Sequence, residues 1–295
     1  MGQTAVTSPV GLKNILVATD DSPISSRAIS FAGGLAARFD AKLYALHAGE
    51  PVNYALPPQS WKESEEASRI AAQELSRSLR ATLPRVKSEI LEGEGPAWSA
   101  INRAIAEKEI DLLVLGTRGR TGVTKLLLGS VAEEILRRAT CPVLTLGPFA
   151  QLWDEISLER PEIIYATDFS PEAYAAAPHA FAWAGELRAN LTLLHVIHDG
   201  ANVNFARPME PADAANHLLK RMLPEDAGSR FAYTLHVEHG DPAERILNTA
   251  ERIRAALIVI GARTPAGVPG AATHLSTSTV HQVIARAPCV VLTAG

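Results

Sequence analysis

The sequence lacks the features that mark secreted, membrane-spanning or nucleic-acid-binding proteins. Only two of its 295 residues are cysteine, too few for a disulfide framework, so we expect a reducing cytoplasmic location. No apolar run approaches the roughly 20 residues that span a bilayer, and no charged segment followed by an apolar core opens the chain, so we expect no membrane segment and no signal peptide. The net charge of −4 leaves no basic surplus for nucleic acid.

The chain instead contains two copies of one pattern, separated by 148 positions. Residues 15–23 recur as 163–171, residues 46–48 as 194–196, and residues 138–141 as 286–289. Because this period far exceeds the 20–50 residues of solenoid repeats, it indicates duplication of a whole domain. We predict a first domain over 12–148, a linker over 149–161 and a second domain over 162–295.

Each copy alternates strand and helix patterns. We predict strands at 13–19, 42–48, 86–91, 111–116 and 142–146, and again near 162–167, 191–197, 231–238, 256–261 and 289–293. Helices are expected to begin after Ser22, at Ser60, at Pro96 and at Ser130, where capping residues or proline precede helical periodicity. This alternation predicts α/β domains with parallel sheets, whose ligands bind beyond the carboxyl ends of the strands.

A glycine-rich pattern follows the fourth predicted strand. Gly116 and Gly119 are separated by two residues, and nine further residues lead to Gly129 and Ser130, where a helix is expected to begin. Glycines permit a tight turn and close backbone approach, and a helix N-terminus offers free N–H donors and a positive dipole end. This combination is suited to phosphate, although turn glycines and an ordinary cap are the alternative.

Other candidate residues have two interpretations each. Asp20 either contacts a ribose hydroxyl or a water of phosphate-bound Mg²⁺, or it only caps the first helix. Arg118, with its neighbour Arg120, either pairs with phosphate or is a solvated loop charge. His47 and His195 are interpreted as half-buried histidines bonded to nearby backbone, with a catalytic base as the alternative. The two cysteines, Cys141 and Cys289, are expected to pack in the core.

The glycine pattern, the first-strand Asp20 and the second-strand Leu-His-Ala together resemble the ATP-binding universal stress proteins, over almost the whole chain. The resemblance implies two tandem three-layer α/β/α domains, each with a five-stranded parallel sheet of order 3-2-1-4-5. It also implies bound ATP, with Mg²⁺ as a possible companion, and a homodimer of tandem chains. The nucleotide-binding residues implied in the first domain are Ala18, Thr19, Asp20, His47, Ala48, Gly116, Arg118, Gly119, Gly129, Ser130 and Val131.

The second copy departs from this pattern where phosphate would bind. It reads Gly261-Ala262-Arg263-Thr264, so the second glycine is missing, and Thr277 stands at the position of Gly129. A Cβ at that position restricts positive φ and close backbone approach. We therefore expect one competent nucleotide site per chain, in the first domain; a different anion pocket in the second is the alternative.

Three functions are compatible with these residues. The first is a stress-response regulatory protein in which ATP orders the glycine loop and changes the choice of an unidentified protein partner. The second is a slow ATPase or a protein that phosphorylates itself on Ser130. The third is a nucleotide-free dimerisation scaffold. The residues alone do not decide whether the protein is an enzyme.

Overall fold

A computed structural model of the chain defines two compact units, one formed by residues 11–148 and the other mainly by residues 149–295. The structure describes residues 10–47, 58–93, 95–117, 128–153, 159–198, 210–262 and 278–295. Within helix residues 58–68 the only side chain described is that of Glu66. Three of the predicted site residues, Ala48, Arg118 and Gly119, lie outside the described residues.

The first unit alternates strands and helices along its described residues. In chain order it contains β1 (Asn14–Thr19), α1 (Pro23–Phe39), β2 (Lys42–His47), α2 (Pro58–Thr82), β3 (Ser88–Glu92), α3 (Ala97–Glu107), β4 (Leu112–Gly116), α4 (Ser130–Arg138) and β5 (Val143–Leu146). The predicted elements are present, but α2 begins at Pro58, two residues before the expected start at Ser60.

The second unit follows the same alternation with one additional short helix. In chain order it contains β6 (Glu162–Ala166), α5 (Pro171–Leu187), β7 (Asn190–Ile197), α6 (Pro211–Met222), α7 (Ala227–Arg230), β8 (Ala232–His239), α8 (Pro242–Ile253), β9 (Leu257–Gly261), α9 (Thr279–Arg286) and β10 (Val290–Ala294). The repetition confirms the predicted tandem arrangement of α/β domains.

All strand pairs within each unit are parallel. In the first unit β1 lies between β2 and β4, while β3 pairs with β2 and β5 with β4. In the second unit β6 lies between β7 and β9, while β8 pairs with β7 and β10 with β9. Since parallel strands all end at the same edge, the carboxyl ends of β1, β2 and β4 lie together there.

The central strands are apolar on both faces, which is why helices cover both sides of each sheet. In the first unit Ile15, Leu16 and Val17 of β1 are fully buried, as are Leu113 and Val114 of β4. Helix α1 begins as predicted, with Ser22 as its N-cap and Pro23 as its first residue. The buried face of α1 consists of Ser25, Ala28, Phe31, Ala32, Gly33, Leu35 and Ala36.

Part of the segment expected to be a linker packs against the second unit. Leu152 and Trp153 are buried, and Trp153 Nε1 donates a hydrogen bond of 3.0 Å to Ala256 O. The Trp153 ring also meets the Trp183 ring edge-on, with centroids 5.5 Å apart. Aromatic burial of this kind fixes Leu152 and Trp153 to the second unit.

The two cysteines are free thiols. Cys289 is fully buried, and Cys141 packs against the core of the first unit. Burial raises the pKa of the Cys141 thiol to about 11, so it is protonated and unreactive at neutral pH. The expectation that both cysteines pack in the core is confirmed.

Within the described part of the chain, no helix combines the length and apolar character needed to cross a membrane.

Gly261, the last residue of β9, lies against the first turn of α5. A Cβ at this position would lie 2.6 Å from Ala173 N and 2.6 Å from Glu172 C, so backbone would have to shift. We predict that Gly261→Ala lowers the free energy of unfolding by about 1–3 kcal/mol, measured by urea denaturation.

Gly185→Ala, within α5 of the same unit, is the matched control. Its Cβ would meet only Arg230 Nη2 at 3.5 Å, an ordinary contact, and alanine favours helix by up to about 1 kcal/mol over glycine. Equal stability of the two variants would contradict the close packing of β9 against α5.

Candidate functional site

The carboxyl edge of the first sheet brings several predicted site residues together. Thr19, which ends β1, is in register with His47 at the end of β2, and Ala18 is in register with Leu115, one residue before the end of β4. The N-terminus of α4 is tied to the same edge, since Gly129 N donates a hydrogen bond of 3.0 Å to Thr117 O. The residues brought together are Ala18, Thr19, Asp20, His47, Gly116, Gly129, Ser130 and Val131.

The turn from β1 into α1 is held by short-range hydrogen bonds. Asp20 Oδ1 accepts from Ser22 N at 3.1 Å, and Thr19 Oγ1 accepts from Asp21 N at 3.2 Å. Ser22 Oγ in turn caps α1 by accepting from Ser25 N at 3.3 Å. Asp20 therefore orders the turn before the helix, and Ser22 provides the cap. This local role is compatible with a ligand contact by Asp20.

Asp21 forms a side-chain pair with His47 that the sequence did not reveal. His47 Nε2 lies 2.8 Å from Asp21 Oδ2, and the His47 side chain is only 9% exposed. Asp21 has φ of 62°, a left-handed conformation that aspartate tolerates better than most residues. The interpretation of His47 as bonded to backbone is wrong, because its recorded partner is a carboxylate. The pair joins the β1–α1 turn to the end of β2.

Gly116 has a packing role of its own. A Cβ at this position would lie 2.9 Å from Ile24 Cγ2 and 3.3 Å from the Ile24 carbonyl carbon. Glycine therefore lets the end of β4 approach the first turn of α1 closely. The matching glycine of the second unit, Gly261, makes an even closer approach to α5. The sequence predicted close approach to a ligand, but the nearest partner in the structure is a helix.

Helix α4 begins without a side-chain cap. Its N-cap is Gly129, which has extended backbone (φ −67°, ψ 149°) and no side chain to accept a hydrogen bond. The first intrahelical bond runs from Glu133 N to Gly129 O. Within the described residues, the N–H groups of Ser130, Val131 and Ala132 have no acceptor. Ser130 and Val131 are both exposed, so this helix end offers donors to a bound group.

Thr117 lies between β4 and this helix end. Its N–H donates to Leu146 O at 3.0 Å, and its carbonyl accepts from Gly129 N. The residue is 1% exposed, yet its hydroxyl oxygen is buried without a hydrogen-bond partner. Thr117 was not predicted because the glycine pattern leaves this position unspecified. A buried hydroxyl without a partner costs about 1–3 kcal/mol relative to a satisfied one.

The corresponding edge of the second unit has different chemistry. Phe169 replaces Asp21 at the same left-handed position, with φ of 61°. Its ring packs on the His195 ring with centroids 4.4 Å apart, and His195 Nδ1 bonds Thr167 O at 2.8 Å. The backbone-bonded interpretation of His195 is confirmed. Burial lowers the pKa of His195, which favours the neutral imidazole.

The second unit also caps its own last helix. Ser278 precedes α9, and its hydroxyl accepts from His281 N at 3.2 Å. Ser278 matches Ser130 of the first unit in sequence, but Ser130 is the first helical residue and Ser278 is the N-cap. One of the N–H donors of α9 is therefore already satisfied by its own chain, whereas α4 has no such cap.

The geometry of the first unit favours an anionic ligand over a metal ion held by protein side chains alone. Helix N–H groups and a hydroxyl are donors, which suit phosphate or carboxylate oxygens. Among the described residues, no group of three or more His, Cys, Asp or Glu is arranged to hold a metal ion.

The Asp21–His47 contact leads to a test by double-mutant cycle. Asp21 is 41% exposed, so solvent weakens the pair, and we expect a coupling of about 1 kcal/mol between Asp21→Ala and His47→Ala in the free energy of unfolding. The same cycle on Glu66 and Arg69, an exposed pair on α2, is the control and should give no measurable coupling. Additive effects of the Asp21 and His47 substitutions would show that the contact between them contributes nothing to the free energy of unfolding.

Comparison with known proteins gives the family of the chain. A profile of the Universal stress protein family matches residues 11–146 and, separately, residues 160–294. A universal stress protein of Methanocaldococcus jannaschii is 35% identical over 140 residues, which cover 45% of this chain and 81% of the relative. One from Mycobacterium tuberculosis is 29% identical over 294 residues, which cover 87% of this chain and 87% of the relative.

One solved structure shares the fold along almost the whole chain. The crystal structure of a universal stress protein from Archaeoglobus fulgidus covers 97% of this chain and 97% of its own, with a TM-score of 0.73 at 22% identity. A universal stress protein solved in complex with cAMP covers 46% of this chain and 97% of its own, at 26% identity and a TM-score of 0.38. Since the family profile matches both halves, the chain belongs to the universal stress protein family and carries two of its domains in tandem.

Proposed function

We propose that the first unit binds ATP, with the phosphate chain at the N-terminus of α4. The observation that carries this proposal is the contrast between α4, which begins without a side-chain cap, and α9, which is capped by Ser278. An uncapped helix end leaves N–H donors for another acceptor. The dipole of the helix adds attraction for a negative charge.

The donors that support phosphate binding are the N–H groups of Ser130, Val131 and Ala132, with the Ser130 hydroxyl beside them. Gly129 N–H was expected to join this set, but in this structure it donates to Thr117 O. Glu133, in the first turn of α4, carries a negative charge that repels a phosphate bound there. We assign Arg118 as the basic residue whose positive charge compensates for this repulsion.

We assign the nucleoside to the ends of β1 and β2, as the family resemblance implies. Ala18, Thr19 and Asp20 would face the ribose, with Asp20 accepting from a hydroxyl. His47 and Ala48 would contact the adenine through their backbone. Bound Mg²⁺ would take most of its ligands from phosphate oxygens and water, with Asp20 acting through water. When bound, the metal would neutralise phosphate charge.

We infer that the function is regulatory. Bound ATP orders the glycine loop, and a protein partner recognises the ordered conformation. Both ends of this loop are anchored, Gly116 by its contact with Ile24 and Gly129 by its bond to Thr117. A ligand bound at α4, with Gly119 close to its phosphates, therefore orders a loop whose two ends are already held in place. The proposal includes a homodimer of tandem chains and the domain boundaries 12–148 and 162–295.

The asymmetry between the units supports one nucleotide per chain. The Ser278 hydroxyl already satisfies an N–H donor of α9, and Phe169 occupies the place that Asp21 has in the first unit. Both differences remove polar groups that a nucleotide could use. The second unit would then stabilise the fold or bind the partner without a nucleotide of its own.

Calorimetry on nucleotide-free protein with Gly129→Asp tests this proposal. Asp is a good N-cap, and the backbone of Gly129 is already extended, so we expect stability to be kept or raised by a few tenths of a kcal/mol. Its carboxylate would occupy the anion position, so we expect ATP affinity to fall by at least about tenfold, since repulsion replaces attraction there.

Ser278→Ala in the second unit is the matched control. It removes the cap of α9 and should cost about 1 kcal/mol of stability, while ATP still binds with one molecule per chain. The proposal would be abandoned if the parent protein failed to bind ATP at millimolar concentration, or if Ser278→Ala abolished binding and Gly129→Asp did not.

A further inference from the structure

Thr117 has an unsatisfied buried hydroxyl beside the proposed phosphate position. Its side chain is 1% exposed, and its Oγ1 has no hydrogen-bond partner. Buried polar atoms nearly always have partners, so an exception calls for a physical reason. Both backbone groups of Thr117 are hydrogen-bonded, since its N–H donates to Leu146 O and its carbonyl accepts from Gly129 N. The side-chain hydroxyl is therefore the polar group of Thr117 without a hydrogen-bond partner.

The second unit provides a natural comparison for this position. Ala262 N donates to Ala294 O at 3.0 Å, as Thr117 N donates to Leu146 O, and the two acceptors end β10 and β5. Ala262 is therefore the structural counterpart of Thr117, and it carries no hydroxyl. The second unit, in which Ser278 caps α9, has alanine at this position. The first unit, in which α4 has no side-chain cap, has threonine.

We propose that the Thr117 hydroxyl is a ligand-binding group that donates a hydrogen bond to the phosphate chain held at the N-terminus of α4. This inference rests on the proposed function and adds a residue to it. Thr117 and Gly129 are joined by a hydrogen bond of 3.0 Å, so the hydroxyl belongs to a residue in direct contact with the helix end. A phosphate oxygen is an acceptor, which is the partner that a hydroxyl can donate to.

The burial of Oγ1 has a consequence for how the ligand binds. Because the atom is covered in this structure, contact with phosphate requires the side chain to rotate or its surroundings to shift. Binding then exchanges an unsatisfied hydroxyl for a charge-assisted hydrogen bond, which is the stronger kind. The hydroxyl thereby favours the nucleotide-bound conformation over the free one, since it has a partner only in the former.

Thr117→Val and Thr117→Ser separate a ligand role from a structural one. Valine keeps the shape of threonine and removes the hydroxyl, and serine keeps the hydroxyl. In the nucleotide-free full chain, we expect Thr117→Val to have the same or a higher melting temperature than the parent, because an unsatisfied group has been removed. In calorimetric titration with ATP, we expect its affinity to fall roughly 10- to 100-fold, and Thr117→Ser to bind within a few-fold of the parent.

Three results would contradict this inference, and each has a different consequence for the proposed function. If Thr117→Val bound ATP as the parent does, the ligand role of Thr117 would be overturned while ATP binding by the first unit stood. If Thr117→Val lowered the melting temperature of the free protein and left affinity unchanged, the hydroxyl would be satisfied by a buried water instead. If the parent protein bound no ATP, both this inference and the proposed function would fail.

Discussion

Burial of the central strands on both faces determines where every functional group of this protein can lie. β1 and β4 in the first unit are apolar along almost their whole length, so polar chemistry is excluded from the sheet itself. Since the strands are parallel, their carboxyl ends form one edge, and in the described part of the first unit polar side chains lie together at that edge. Thr19, Asp20, His47 and Thr117 all lie there.

Duplication has left two units with matching backbones and different chemistry at this edge. The left-handed position after the first strand carries Asp21 in one unit and Phe169 in the other, with nearly equal φ of 62° and 61°. The backbone conformation is therefore the same in both units, while the side chain is a hydrogen-bond partner of histidine in one and an aromatic ring packed on histidine in the other. The same holds for Thr117 and Ala262, whose N–H groups make equivalent hydrogen bonds. Side chains at this edge can therefore differ between the units while the backbone conformation stays the same.

Much of the fold could be predicted from the sequence because it depends on local and repeated signals. Apolar runs predicted the strands, and the Ser-Pro pair at 22 and 23 predicted the start of α1. Boundaries were less accurate: α2 begins before its predicted capping box, since helix N-termini depend on contacts as well as on caps. Trp153 was expected in a linker, because nothing in its local sequence indicates the hydrogen bond to Ala256.

The sequence could predict which residues lie at the candidate site but not the contacts that they make. The glycine pattern pointed to the edge at β4 and α4, and the structure brings its described residues there, but side-chain pairs across the fold leave no local signal. The contact between Asp21 and His47 joins residues 26 positions apart, whereas the sequence suggested nearby backbone as the partner of His47. Likewise, an unsatisfied hydroxyl such as that of Thr117 is visible only when the surrounding atoms are known.

Amide hydrogen exchange with and without ATP tests the central claim most directly, because it reports on the backbone donors themselves. We predict that ATP slows exchange of the N–H groups of Ser130, Val131 and Ala132 at the start of α4. The equivalent N–H groups of α9, those of residues 279–281, should exchange at the same rate with and without ATP. Protection at α9 with none at α4 would contradict the account.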